Sequence, residues 1–196
     1  AHGFNKKTVI AFISTIISII LALVISYTFV HYSRLTGLGT EEAFFLQSLA
    51  IGEINLRGLL LGGIIIGTLG VLDDITTAQA ATVQEIYRAN SKLTKKELYE
   101  RGLRVGREHI ISLVNTLVLA YTSVSLPLFL LFSVSNQPAW VVFNSEIVVE
   151  EVIRMLVGST VLIMAVPITT AIAAYVFANN KLSFIAESKN EHGHYH

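Results

Sequence analysis

Three long stretches of this chain carry no charged residue: 8–30, 110–133 and 155–178. A bilayer core about 30 Å thick needs roughly 20 helical residues to cross it. Each stretch meets that length, so the chain is read as an all-α, polytopic transmembrane protein. In hydrocarbon only a helix or a closed barrel satisfies its own backbone, and runs of this length without alternation exclude strands.

A fourth span is shorter. The uncharged run from Gly58 to Leu72 covers 15 residues, about 22 Å of helix. To cross, it must extend upstream over Arg57 and Glu53 or downstream over Asp73 and Asp74, or else thin the bilayer. Four spans are therefore predicted at about 8–30, 54–76, 109–133 and 155–178. A helical connection is predicted at about 77–108, and a polar tail at 181–196. Residues 78–88 have good helix composition and Asn90-Ser91 ends them. Thr94 with Glu97 has the spacing of a capping box and starts the next helix. Thr40-Glu41-Glu42, followed by Phe44, Phe45 and Leu49, predicts a capped amphipathic helix at the membrane interface. Pro167 falls inside the last span and should kink it.

Basic residues orient the chain. Eleven of the fourteen Lys and Arg precede span one, lie between spans two and three, or follow span four. Only Arg34, Arg57 and Arg154 fall on the other side. This asymmetry predicts cytoplasmic N- and C-termini in a cell membrane. The charged fraction is 14%, against about 25% in soluble domains. Net charge is zero, which gives no bulk attraction to nucleic acid. The absence of Cys excludes disulfides, thiolate metal sites and Cys nucleophiles.

Two groups of residues stand out. Gly58, Gly62, Gly63, Gly67 and Gly70 punctuate span two and let a neighbouring backbone approach. The expectation is packing within the chain; a dimer seam or a flexible gating helix are the alternatives. Asp74 shares the face of Gly63, Gly67 and Gly70. Span three carries a polar stripe of Glu108/His109, Ser112, Asn115/Thr116 and Thr122/Ser123. Asp73, Asp74, His109 and Asn115 are thus the candidate polar or ion site, for a proton or a cation. The plainer alternative is a solvated helix end and an interfacial ion-pair network. No zinc-protease, nucleophile-elbow or P-loop motif occurs, so no catalytic residue, enzyme activity or cofactor is assigned. His192, His194 and His196 are read as a disordered tail rather than a metal site.

The segment Arg57-Gly58-Leu59-Leu60-Leu61-Gly62-Gly63, with Asp73, Asp74 and Gln79-Ala80-Ala81, resembles the YibE/YibF-like family of bacterial membrane proteins. So does Arg101-Gly102 through Val105-Gly106-Arg107-Glu108-His109, leading to Asn115-Thr116 and Leu126-Pro127. The resemblance covers about residues 51–132. It implies a polytopic membrane protein of which this chain is the C-terminal part, and it brings no established site residue. Two functions are weighed: a permease-like or transport-associated protein, and a non-transporting scaffold docking through residues 73–108. The expected partners are the lipid bilayer and either a second copy or further membrane subunits.

Overall fold

The computed structural model describes residues 5–49, 54–134 and 137–179. Six helices follow one another: α1 Lys6–Tyr32, α2 Glu41–Ser48, α3 Leu56–Ala89, α4 Lys95–Val134, α5 Ala139–Phe143 and α6 Glu146–Asn179. No strand occurs among the described residues. Four of the helices, α1, α3, α4 and α6, are long and apolar enough to cross a membrane. The tail and its three histidines lie outside the described residues.

The short second span is completed downstream. α3 runs unbroken over Asp73 and Asp74 to Ala89, about 50 Å of helix. α4 likewise runs unbroken from the Thr94 cap to Val134. The segment 77–108 is thus no separate unit. It is the far end of two membrane helices joined by a turn at residues 90–94. There Asn90 caps α3 and its Oδ1 accepts from Lys92 N at 3.1 Å. The capping box closes as its sequence requires. Thr94 N donates to the Glu97 carboxylate at 2.8 Å and Glu97 N donates to Thr94 Oγ1 at 3.3 Å. These bonds satisfy amides that no helical carbonyl reaches. Thr40 caps α2 in the same way, accepting from Ala43 N, and Phe44 and Phe45 are exposed. α6 continues through Pro167 without a break.

α6 is the centre of the bundle, packing on α1, α3 and α4. One core joins Leu60, Ile64 and Leu72 of α3 to Val157, Val161 and Ala165 of α6. A second joins Val83 and Tyr87 to Leu98 and to Ala173, Ala174 and Phe177. That second core explains the composition of residues 75–108. α6 stays uncharged to Asn179, and the amphipathic ends of α3 and α4 cover it with their apolar faces.

The glycines of span two do not bring helices together inside this chain, which corrects the first expectation. Among the described residues, a Cβ at Gly62, Gly63 or Gly70 would meet nothing within 4 Å. One at Gly58 would first meet its own cap, Asn55, at 3.3 Å, and one at Gly67, among the described residues, only the Tyr121 hydroxyl at 3.7 Å. The reason is rotational. α3 packs through Leu60, Ile64, Thr68 and Leu72, and Gly63 and Gly67 each precede a contact residue, about 100° round the helix. Close approach occurs at Gly102 and Gly106 of α4 and Gly158 of α6. A Cβ on Gly106 would lie 2.5 Å from Val166 Cγ1 and 2.8 Å from Gln79 Oε1. α1 uses a stripe of small buried residues at a spacing of four: Ser14, Ser18, Ala22 and Ser26. Small residues matter here because helices in lipid associate by packing rather than by exclusion from water.

Two substitutions separate these roles. Gly106→Ala should lower the melting temperature of the detergent-solubilised protein by several degrees, since the short Val166 side chain and a buried amide must move. Gly63→Ala should leave it unchanged or raise it, because the helix gains up to about 1 kcal/mol of propensity with no collision. Equal loss in both variants would contradict the packing described.

Candidate functional site

Gln79 marks the most constrained polar point. It is buried, and its Nε2 donates to Gly102 O at 2.9 Å and to Thr170 Oγ1 at 2.7 Å. One amide therefore ties α3 to both α4 and α6. Gly102 and Gly106 leave room for it: a Cβ at Gly102 would come within 2.9 Å of both Thr170 and Val83. Three residues away, Thr76 and Thr15 share a hydroxyl contact of 2.7 Å that joins α3 to α1. Thr170 also bonds back to Val166 O at 2.6 Å, so its hydroxyl both accepts and donates.

The contact between Gln79 and Gly102 sets axial levels. α3 and α4 are antiparallel, so Asp74 and His109 both lie on the same side of it, at about 7 Å and about 10 Å along the axes. Asn115 lies about 20 Å along. Asp74 and His109 are therefore nearly level, but they line different grooves. Asp73 and Asp74 border one with Thr8, Thr77, Ala78 and Ala81. Glu108 and His109 border another with Gln79, Thr82, Val105 and Ser112. The grooves share only Ala78. Asn115 lines neither. All four candidate residues are exposed, and among the described residues no three His, Asp or Glu are grouped to hold a metal ion. The structure does not assemble Asp73, Asp74, His109 and Asn115 into one centre, and this corrects the second expectation. The shared glycine face that was to carry Asp74 inward points out of the bundle instead.

A polar cluster not anticipated from the sequence lies at the opposite end, beyond the membrane-spanning part of α6. The loop between α1 and α2 turns back over α6. Arg34 and Gly37 take left-handed backbone, with φ of 53° and 84°. A side chain on Gly37 would collide with the Leu56 carbonyl, and one on Gly39 would enter the Glu150 carboxylate. Glu146 accepts from Gly37 N at 2.8 Å, from Thr36 N, and from Thr36 Oγ1 at 2.9 Å. Glu150 is 3% exposed and accepts from Gly39 N at 3.1 Å. Arg57 Nε donates to Leu35 O at 2.8 Å and ties the same loop to α3. The signal in the sequence was Thr36-Gly37-Leu38-Gly39, whose glycines permit this turn. Its partners are more than 100 residues away.

The two carboxylates titrate in opposite directions. Burial alone would raise Glu146, but the bonds from Thr36 and the backbone amides outweigh it and hold the carboxyl below its ordinary value. Burial raises Glu150, and Glu146 and Glu151 add to it against the Gly39 amide and Arg154. Next to them, Glu151 and Arg154 pair at 3.5 Å. Glu151 Oε2 and Arg154 Nε are buried without a partner among the described residues. A groove of about 90 Å³ opens beside them, lined by Tyr121, Ser125, Phe129, Glu151 and Met155.

Fold and surface together define a polytopic α-helical membrane protein held by buried hydroxyl and amide contacts. The sequence matches the YibE/F-like protein family over residues 1–179, and the chain belongs to that family. The match reaches well beyond the 51–132 segment that carries the resemblance. Among curated proteins and among solved structures, no match is found.

The loop clamp has a pH signature. Stability from Glu146 is present above the ordinary carboxylate pKa and is lost as pH falls through its lowered value. Glu150 opposes folding while charged, and that cost lifts as pH falls from its raised value toward the ordinary one. At neutral pH, Glu146→Gln should destabilise by about 1 kcal/mol. Glu150→Gln keeps the acceptor for Gly39 and should stabilise. Melting curves of both variants across pH 3–8 should show the two differences shrinking toward acid pH. A destabilised Glu150→Gln at neutral pH would contradict the assignment.

Proposed function

We propose that this chain is a subunit of a larger assembly in a bacterial cell membrane, with α4 supplying the contact. The observation that carries the reading is the state of α4. Only 6% of its most apolar stretch is buried, against 56% for α6. Apolar side chains facing lipid need no partner, but this face also exposes Ser112, Asn115, Thr116 and Ser123. Polar side chains within a span ordinarily face other helices or a water-filled path. Here Asn115, Thr116 and Ser123 of the stripe are exposed and, among the described residues, line no groove with a neighbouring helix, and α6 occupies the centre, so the support goes to an assembling subunit rather than to a carrier complete in one chain.

The Lys and Arg distribution supports a cytoplasmic N-terminus and a cytoplasmic α3–α4 turn. On that orientation the Glu146 and Glu150 clamp lies on the outer side. Two measurements test the proposal. With single cysteines and an impermeant thiol reagent on intact cells, Gln137→Cys should label and Ser91→Cys should label only after permeabilisation; the reverse pattern inverts the orientation. In mild detergent the protein should run as a complex, and a lone 21.5 kDa chain as the sole species would overturn the assembly.

A further inference from the structure

We propose that the partner on α4 is a second copy of the same chain, the two copies meeting about a twofold axis along the membrane normal with Asn115 facing Asn115. The inference rests on the assembly reading above and names its partner.

α4 touches the bundle through Gly102, Gly106, Leu113, Leu117 and Ser125. The other side is one continuous face of Arg104, Glu108, Ser112, Asn115, Leu119 and Leu126, at spacings of three, four and seven, with Glu108 and Ser112 at its edge, where they also border the groove beside Gln79. Every one of these residues is exposed. Thr116 and Thr122 bond back to Ser112 O and Val118 O on their own helix. Among the described residues the Asn115 amide has no such bond. It lies thirteen residues, about 20 Å, from the Gln79 crossing, inside the uncharged run.

Depth argues against lipid as the neighbour. Thr15 is level with Thr76, which puts Phe12 of α1 level with Gln79 and Gly102. At that level α1 exposes Phe12, while α4 exposes Arg101 and Arg104 one helical turn or less away. A flat bilayer presents one medium at one depth. The α1 side fits hydrocarbon there, and the α4 side does not.

Complementarity argues for a copy of the chain itself. A carboxamide holds both a donor and an acceptor, so two of them across a twofold satisfy each other reciprocally. Copies inserted in the same orientation keep the same levels. Each Glu108 then meets the other copy's Arg104 one turn away, giving two crossed ion pairs from a face that carries both signs. Beyond Asn115, Leu119 and Leu126 of each copy continue the seam as apolar contact.

The chain has no Cys, so single cysteines report cleanly. Leu119→Cys and, on the α1 surface, Ile16→Cys are labelled with a benzophenone maleimide in native membranes and irradiated, with two differently tagged copies co-expressed. Leu119→Cys should give a mixed-tag dimer and Ile16→Cys only lipid adducts. Adding Asn115→Leu should weaken the dimer about fivefold, in the range of interhelical hydrogen bonds in membranes, and Asn115→Gln should restore it. A crosslink from position 119 to a different polypeptide overturns self-pairing and leaves the assembly reading intact. Lipid adducts alone at position 119, in a protein with the wild-type melting curve, overturn both. Equal dimer yield from positions 16 and 119 marks random collision and overturns self-pairing.

Discussion

The architecture depends on one crossing. At Gln79, α3, α4 and α6 come close enough for a single amide to bond a helix carbonyl and a threonine hydroxyl at once. That approach is open only because residues 102 and 106 carry no side chain. The two conditions support each other. Without the glycines the amide would have no room, and without the amide the crossing would lose its polar tie. The hydrogen bond fixes register, which packing of Val and Leu alone leaves loosely specified.

From that register follows an asymmetry between the two sides of the bundle. Past the crossing, toward the α3–α4 turn, α6 stays uncharged to Asn179 and α1 to Thr8. α3 and α4 become amphipathic about 10 Å before it. Their polar outer faces therefore stand level with hydrocarbon-facing residues of α1. An isolated bundle would have to distort the bilayer around itself. The proposed pairing on α4 would cover the α4 part of that mismatch.

The opposite end is organised by charge rather than by close packing. Glu146 and Glu150 sit one turn apart on α6 and hold the backbone of residues 36–39. One carboxyl gains from the contact and the other is strained by burial, so the clamp is a balance that pH shifts. Its neighbours Glu151 and Arg154 keep atoms without a partner among the described residues, beside an open groove.

The sequence by itself determined the class, the number of crossings, the helix caps at Thr40 and Thr94, and the turn at Asn90. Each of these depends on run length or on residues within a few positions of one another. The tertiary structure alone decided which faces meet. Gly63, Gly67 and Gly70 looked like a contact stripe because their spacing is helical, yet α3 turns its Leu60–Leu72 face to α6, where larger side chains fill more space. Gly102 and Gly106 have the same spacing and do make the contact, because Gln79 and Val166 happen to stand opposite. Asp74 and His109 are level but point into separate grooves, an outcome set by helix rotation. Spacing along one helix gives a face, but the direction of that face depends on the shapes of all its neighbours, and these are contributed by residues tens to more than a hundred positions away.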